Sequence, residues 1–360
     1  MALFSLGSPV FVGAEKMQSK QIQLRYKLYD LKLKHTWTIA RGSRDTSTII
    51  LTELECDGIT GTGEAALSTS SRYGETQETV LEFLKKIQFP QEFCLLEREK
   101  VLDYVDSISP GNYAAKAAID IALHDWVGKK LGIPLYKLWG LSKEKTPLTS
   151  FSIGLDTVEN MLLKVREAEE YPLLKIKVGK ENDKEIISSI RKVTQKPIRV
   201  DANEAWKSKE IALEKILWMQ DQGIEFIEQP MPVSQLEDTA WLRDRVNIPI
   251  IADESVGRLQ DIAKLQYAFD GINIKLMKCG GLQEAIKMIY AARALKMKVM
   301  MGCMIESSVG ISAAAHLSPL IDYADLDGNL LIANDPYEGA KVLAGKLILK
   351  ELPGLGLVYH

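Results

Sequence analysis

A chain of 360 residues with 46% hydrophobic content can bury a large core, enough for two domains or for one barrel with an appendage. Its 45 basic and 48 acidic residues are well mixed and leave a formal charge of −3, so no basic stripe marks a nucleic-acid partner. No apolar run reaches the ~18 residues of a membrane span, and four scattered cysteines, Cys56, Cys94, Cys279 and Cys303, form neither a CxxC pair nor a disulfide scaffold, which fits a reducing cytoplasm.

Residues 1–20, "MALFSLGSPVFVGAEKMQSK", have no basic residue ahead of their short apolar stretch, so they read as a disordered extension rather than a secretion signal. From Gln21 to about Gly63 the apolar and polar residues alternate as in hairpin strands, with the turn signal Asp57-Gly58 in the second half. The stretches Thr76 to Leu102 and Ala114 to Leu131 then read as helices, the second ended by Gly132 and Pro134. Residues 21–145 are therefore expected to form an α+β domain.

After Pro147 the pattern changes to short apolar runs separated by amphipathic helical stretches. The runs are "LTSFSIGL", "LLKIKV", "PIRVDAN", "IEFIEQP", "PIIADES", "INIKLMK", "KVMMGCMIE" and "DYADLD", between residues 148 and 327. Their nearly constant spacing predicts a (β/α) barrel of seven or eight units over residues 146–335, with 336–360 as a C-terminal segment. A doubly wound open sheet is the alternative, but no GxGxxG opens a helix after any of these strands.

Five of the runs end on a charged residue: Lys177, Asp201, Glu228, Asp253 and Lys275, spaced 24, 27, 25 and 22 residues apart. In a barrel, residues at the C-terminal ends of successive strands converge on one mouth. One such residue would be a solvated strand end; five in register require another reason. The three carboxylates repel one another unless a hard cation sits among them, and an oxygen-only set implies Mg²⁺, with Mn²⁺ as a substitute. The lysines flank that triad. In "KIK", Lys175 and Lys177 leave the same face of the strand, so Lys175 and the metal would both disfavour the charged form of Lys177 and prepare it as a base. Lys278 is a rival to Lys275, but it stands beside Cys279-Gly280-Gly281, where the chain is already turning.

With "KIK", "DAN", "EQP", "ADES" and "IKLMKCGG" on five successive strands, the chain resembles the muconate-lactonising branch of the enolase superfamily along essentially its whole length. The resemblance implies an N-terminal α+β capping domain over a (β/α)7β TIM-like barrel. It also implies Lys177 and Lys275 as an acid/base pair, and Asp201, Glu228 and Asp253 as Mg²⁺ ligands. None of the four histidines stands at a strand end, unlike the mandelate-type branch. The implied chemistry is removal of a proton next to a carboxylate; a lysine on each face then permits 1,1-proton transfer and epimerisation.

Asp325 and Asp327, in "DYADLDGNLL", lie two apart and share one face, which suits capture of a substrate ammonium. They resemble the Asp-x-Asp motif of dipeptide epimerases, whose partner is a small dipeptide inverted at its C-terminal residue, here expected to be L-Ala-D/L-Glu. Arg41 matches a position that binds a glutamate side chain in such enzymes, and Arg44 is its near rival. Ser152, Cys303 and Ile305 match substrate-contact positions, as does Lys175, although Cys303 stands where Ser is expected. Other dipeptides, N-acylamino acid racemisation and cycloisomerisation remain alternatives on the same site. No nucleic acid or membrane is expected as a partner, and a homo-oligomer is.

Overall fold

The computed structural model describes residues 21–39, 42–67 and 73–360, and the expectation for residues 1–20 lies outside them. Three antiparallel strands, β1 (Gln23–Ile39), β2 (Gly42–Cys56) and β3 (Ile59–Ala66), form a sheet in that order. Asp57 and Gly58 both take positive φ, 54° and 72°, the backbone a tight two-residue hairpin needs. The helix expected over Thr76 to Leu102 is instead two helices, α1 (Gln77–Lys86) and α2 (Arg98–Ile108). Pro90 lies in the break, where a missing N–H removes a helical hydrogen bond. Phe89 and Phe93 of that segment pack on Tyr104 of α2, with ring centroids 6.0 and 5.4 Å away, so the break is fixed by its own aromatic contacts.

Helix α3 (Tyr113–Leu131) is buried continuously from Ala114 to Gly128, because it lies between the cap sheet and the rest of the molecule. Glycine makes this contact possible. A Cβ on Gly61 or Gly63 would come within 2.0 or 1.9 Å of a backbone oxygen of α3. Helix α3 ends at Gly132 in the left-handed conformation, and a short helix, α4 (Leu135–Leu138), follows it.

All eight apolar runs form strands: β4 (Phe151–Ile153), β5 (Leu174–Lys177), β6 (Ile198–Asp201), β7 (Ile224–Glu228), β8 (Ile250–Ala252), β9 (Gly271–Ile274), β10 (Lys298–Gly302) and β11 (Tyr323–Asp325). They pair in parallel in chain order. A bridge between Thr149 and Ala324 closes the ring. Helical segments follow the first seven strands: α5 (Val158–Glu167), α6 (Asp183–Val193), α7 (Lys209–Asp221), α8 (Leu236–Arg243), α9 (Ile262–Leu265), α10 (Leu276–Cys279) with α11 (Leu282–Ala294), and α12 (Ser308–Leu317). This is a (β/α)7β barrel with an N-terminal cap. After β11 the chain returns toward the cap: Leu135 N–H donates to Gly354 O at 3.1 Å, and Leu355 N–H to Asp125 at 2.8 Å. Among the described residues, no helix is long and apolar enough to cross a membrane.

Candidate active site

The register of the barrel sets the site. Lys177 pairs with Asp201 and Asp201 with Glu228 across β5, β6 and β7, so three charged residues stand side by side at the ends of adjacent strands. On the next strand Glu228 pairs with Ile251, and Asp253 follows two residues later on the same face. Oxygens of Asp201, Glu228 and Asp253 lie within 4.8 Å of one another, and all three residues are at most 1% exposed. Burial alone would push these carboxyls up. Lys177 and Lys175 outweigh it at Asp201, and Lys275 and Lys278 do so at Asp253, holding both below the ordinary carboxylate range. At Glu228 burial and the charge of Asp201 win, and the group is pushed up.

Each flanking lysine holds one end of the triad. Lys177 Nζ is 2.5 Å from Asp201 Oδ2, and Lys275 Nζ is 2.9 Å from Asp253 Oδ2. Lys278 takes the other side of the same carboxylate: its Nζ lies 2.6 Å from Asp253 Oδ1 and 2.6 Å from the Asp253 carbonyl, and it lines a small neighbouring cavity rather than the one that Lys177 and Lys275 share. Lys175 is 1% exposed and spends its ammonium on Glu228 and Asp325, each at 2.7 Å, and on Asp201 at 3.2 Å. Those three carboxylates overcome its burial and raise it well above the usual lysine value.

The donor set fits a hard divalent ion. It consists of oxygens alone, and buried Glu228 Oε2 has an ammonium at 2.7 Å but no hydrogen bond of good geometry. The neighbouring amides position the ligands. Asn273 donates to Glu228 Oε1 at 2.8 Å, Asn203 N–H to Asp201 at 2.9 Å, and Gln229 Oε1 accepts the N–H of Asp253 at 3.0 Å. Asn203 and Gln229 hold φ of 44° and 36°, uncommon for residues with side chains and set where the chain leaves β6 and β7. The sequence reading missed Gln229 and Asn273; the available signal was a buried amide, Asn273, inside the apolar run "INIK".

Asp325 and Asp327 face the same cavity, which is about 90 Å³ and also lined by Lys175, Lys177, Lys275, Ser152, Cys303 and Ile305. Asp325 accepts from Ser150 Oγ at 2.6 Å and from Lys175, so much of its capacity is engaged. Asp327 accepts the Ser152 N–H at 2.6 Å, and burial together with Asp325 raises it above the usual carboxylate range. The thiol of Cys303 donates to Asp325 O at 3.3 Å and is kept protonated by burial and by Asp327. Trp37, Ile39, Arg44 and Tyr73 of the cap close the cavity. Arg41 lies outside the described residues, whereas Arg44 is in the wall. Buried Glu64 of β3 ties cap to barrel, accepting from Ser307 N–H at 3.0 Å and from Ser307 Oγ, just after the loop that carries Cys303 and Ile305. A larger cavity of about 200 Å³ adjoins at Trp37, Ser152 and Leu331, outside the charged cluster.

Comparison with known proteins agrees with this architecture. Residues 28–140 match the family described as "Mandelate racemase / muconate lactonizing enzyme, N-terminal domain", and residues 158–360 match "Enolase C-terminal domain-like". The chain is 51% identical over 339 residues to an L-Ala-D/L-Glu epimerase of Bacteroides thetaiotaomicron, covering 94% of this chain and 88% of that protein. Its fold is similar to the dipeptide epimerase of Enterococcus faecalis complexed with Mg and L-Leu-L-Tyr, with TM-score 0.87, 36% identity, and 96% and 100% of the two chains covered. It is likewise similar to a substrate-liganded L-Ala-D/L-Glu epimerase of Bacillus subtilis, with TM-score 0.89, 30% identity, and 94% and 99% covered. The chain belongs to the mandelate racemase / muconate lactonizing enzyme family of the enolase superfamily.

Proposed function

We propose that the protein is a Mg²⁺-dependent dipeptide epimerase that inverts the α-carbon of the C-terminal residue, with L-Ala-D/L-Glu as substrate. The observation that carries this reading is one cavity lined by Lys177, Lys275, Asp325 and Asp327, its two lysines paired to opposite ends of a buried carboxylate triad. The 51% identical relative named for that activity supports it.

Asp201, Glu228 and Asp253 would hold the ion. When bound, Mg²⁺ supplies the positive charge that a carboxylate needs when its α-proton leaves. Lys177 and Lys275 stand on the two sides of the cavity, so one removes the α-proton and the other returns a proton to the opposite face. Lys175 lies between the triad and Asp325 and holds the metal end and the amino-terminus end of the site in register. Asp327, with Asp325, takes the substrate ammonium; an incoming cation stabilises the ionised form of a carboxylate that burial disfavours. Arg44, in the cavity wall, would meet the glutamate side chain, the role first expected of Arg41. All four cysteines are unpaired, which suits a cytoplasmic enzyme acting on peptides released in peptidoglycan turnover.

The test is proton exchange. In D₂O, L-Ala-L-Glu acquires deuterium at the glutamate α-carbon alone and L-Ala-D-Glu appears, and chelation of the metal stops both. Absence of exchange with a broad set of dipeptides would refute the reading.

A further inference from the structure

None of the steps above uses Tyr73. This residue lines the site's cavity, which Lys177 and Lys275 share, and it also lines a small second cavity with Met277 and Lys278 of α10, the helix that begins just after Lys275. The two cavities meet at Tyr73 and Met304. Tyr73 is thus on the β9 side of the site. Strands β6, β7 and β8 separate that side from β5, which carries Lys177.

The segment is anchored two residues later. Both Glu75 oxygens are used at the start of α3: Oε2 accepts the Ala114 N–H at 2.9 Å, and Oε1 accepts the Tyr113 N–H. Asn112, the residue that precedes α3, makes no side-chain cap of its own. Glu75 therefore supplies, from outside the helix, the acceptor and negative charge that a helix N-terminus lacks. The longest helix of the cap fixes the chain where Tyr73 enters the cavity.

We propose that Tyr73 is a positioning residue for Lys275 alone, with Glu75 as its anchor: its ring walls the Lys275 side of the cavity, directs Nζ toward the substrate α-carbon and keeps water from it. This rests on the epimerase reading. Because the two lysines serve opposite faces of the α-carbon, a group that supports only one of them affects proton removal from only one epimer. A merely structural role would slow both alike.

The experiment measures α-proton exchange in D₂O from L-Ala-L-Glu and from L-Ala-D-Glu separately. Lys177→Ala and Lys275→Ala identify which epimer each lysine deprotonates. Tyr73→Ala should slow exchange from the Lys275 epimer by about tenfold or more relative to the other, the order of loss a misplaced base produces. Tyr73→Phe, which keeps the ring, should restore the balance. Glu75→Ala, which leaves Tyr73 in place but unanchored, should show the same asymmetry with smaller amplitude, and it decides the matter if Tyr73→Ala does not fold. Equal slowing of both epimers, or none, in Tyr73→Ala and Glu75→Ala overturns the proposal while the epimerase reading stands. A wild-type protein that exchanges neither epimer overturns both, before any variant is compared.

Discussion

Replacing Asp327 with Asn removes a charge and changes little else. Asp327 is 3% exposed and accepts the Ser152 N–H through one oxygen at 2.6 Å, a bond the carbonyl of Asn can keep. The local backbone is therefore preserved, and what disappears is the ionic hydrogen bond to the substrate ammonium. Such a bond contributes about 1.5–3 kcal/mol. At 1.36 kcal/mol per decade, kcat/KM for L-Ala-L-Glu should fall about 10- to 150-fold. The assay is NMR-detected exchange at the glutamate α-carbon, run in parallel on the dipeptide and on N-acetyl-glutamate. The loss should be confined to the substrate with a free amino terminus. If Asp327→Asn turns over the dipeptide as well as the wild type does, or loses both substrates equally, the assignment of Asp327 to the ammonium is wrong.

Three further outcomes are expected. Lys177→Ala and Lys275→Ala should each abolish inversion, with a loss on the order of 10²- to 10⁴-fold, yet each should retain exchange from one epimer, seen by following deuterium and configuration together; full inversion by either variant would remove it from the acid/base pair. Removing metal with EDTA should stop exchange and lower the melting temperature, and Mg²⁺ should restore both in the wild type but not in Asp253→Asn, as titration calorimetry can check. Finally, His316 is buried, accepts the Tyr136 N–H at 3.2 Å and stacks on that ring, and burial lowers its pKa from 6.5 to about 4. Between those values the unfolded chain binds a proton that the folded one does not, so stability should drop by about 3 kcal/mol as pH falls from 6.5 to 4. Urea titrations of the wild type and of His316→Gln should differ in that pH slope; identical slopes would refute it.

The barrel was legible because its strands repeat one local pattern: β-branched and other apolar residues buried on both sides, with five of the eight runs closing on a charge. The same regularity made the triad and the two lysines legible, since strand ends in a barrel converge whatever the loops do. The break between α1 and α2 was read past, although Pro90 marks it in the sequence; where each helix ends is set by the packing of Phe89 and Phe93 on Tyr104. The amides that orient the ligands were harder still. Gln229 and Asn273 act through contacts 24 and 45 residues away in the chain, which no local spacing encodes.

Lys175 shows the division most clearly. Period two in "KIK" by itself places Lys175 and Lys177 on one face and makes them electrostatic neighbours. It cannot say how Lys175 escapes the repulsion, because the answer lies on three other strands: β6, β7 and β11 each bring a carboxylate to its Nζ. The sequence alone determined the chemical inventory and its order around the ring, through strand periodicity and the rule that parallel strands end at one mouth. Only the tertiary structure decided which charge neutralises which. An ion pair depends on distances of about 3 Å between residues as much as 150 apart in the chain, and those distances exist only once the barrel is closed and the cap is seated on it.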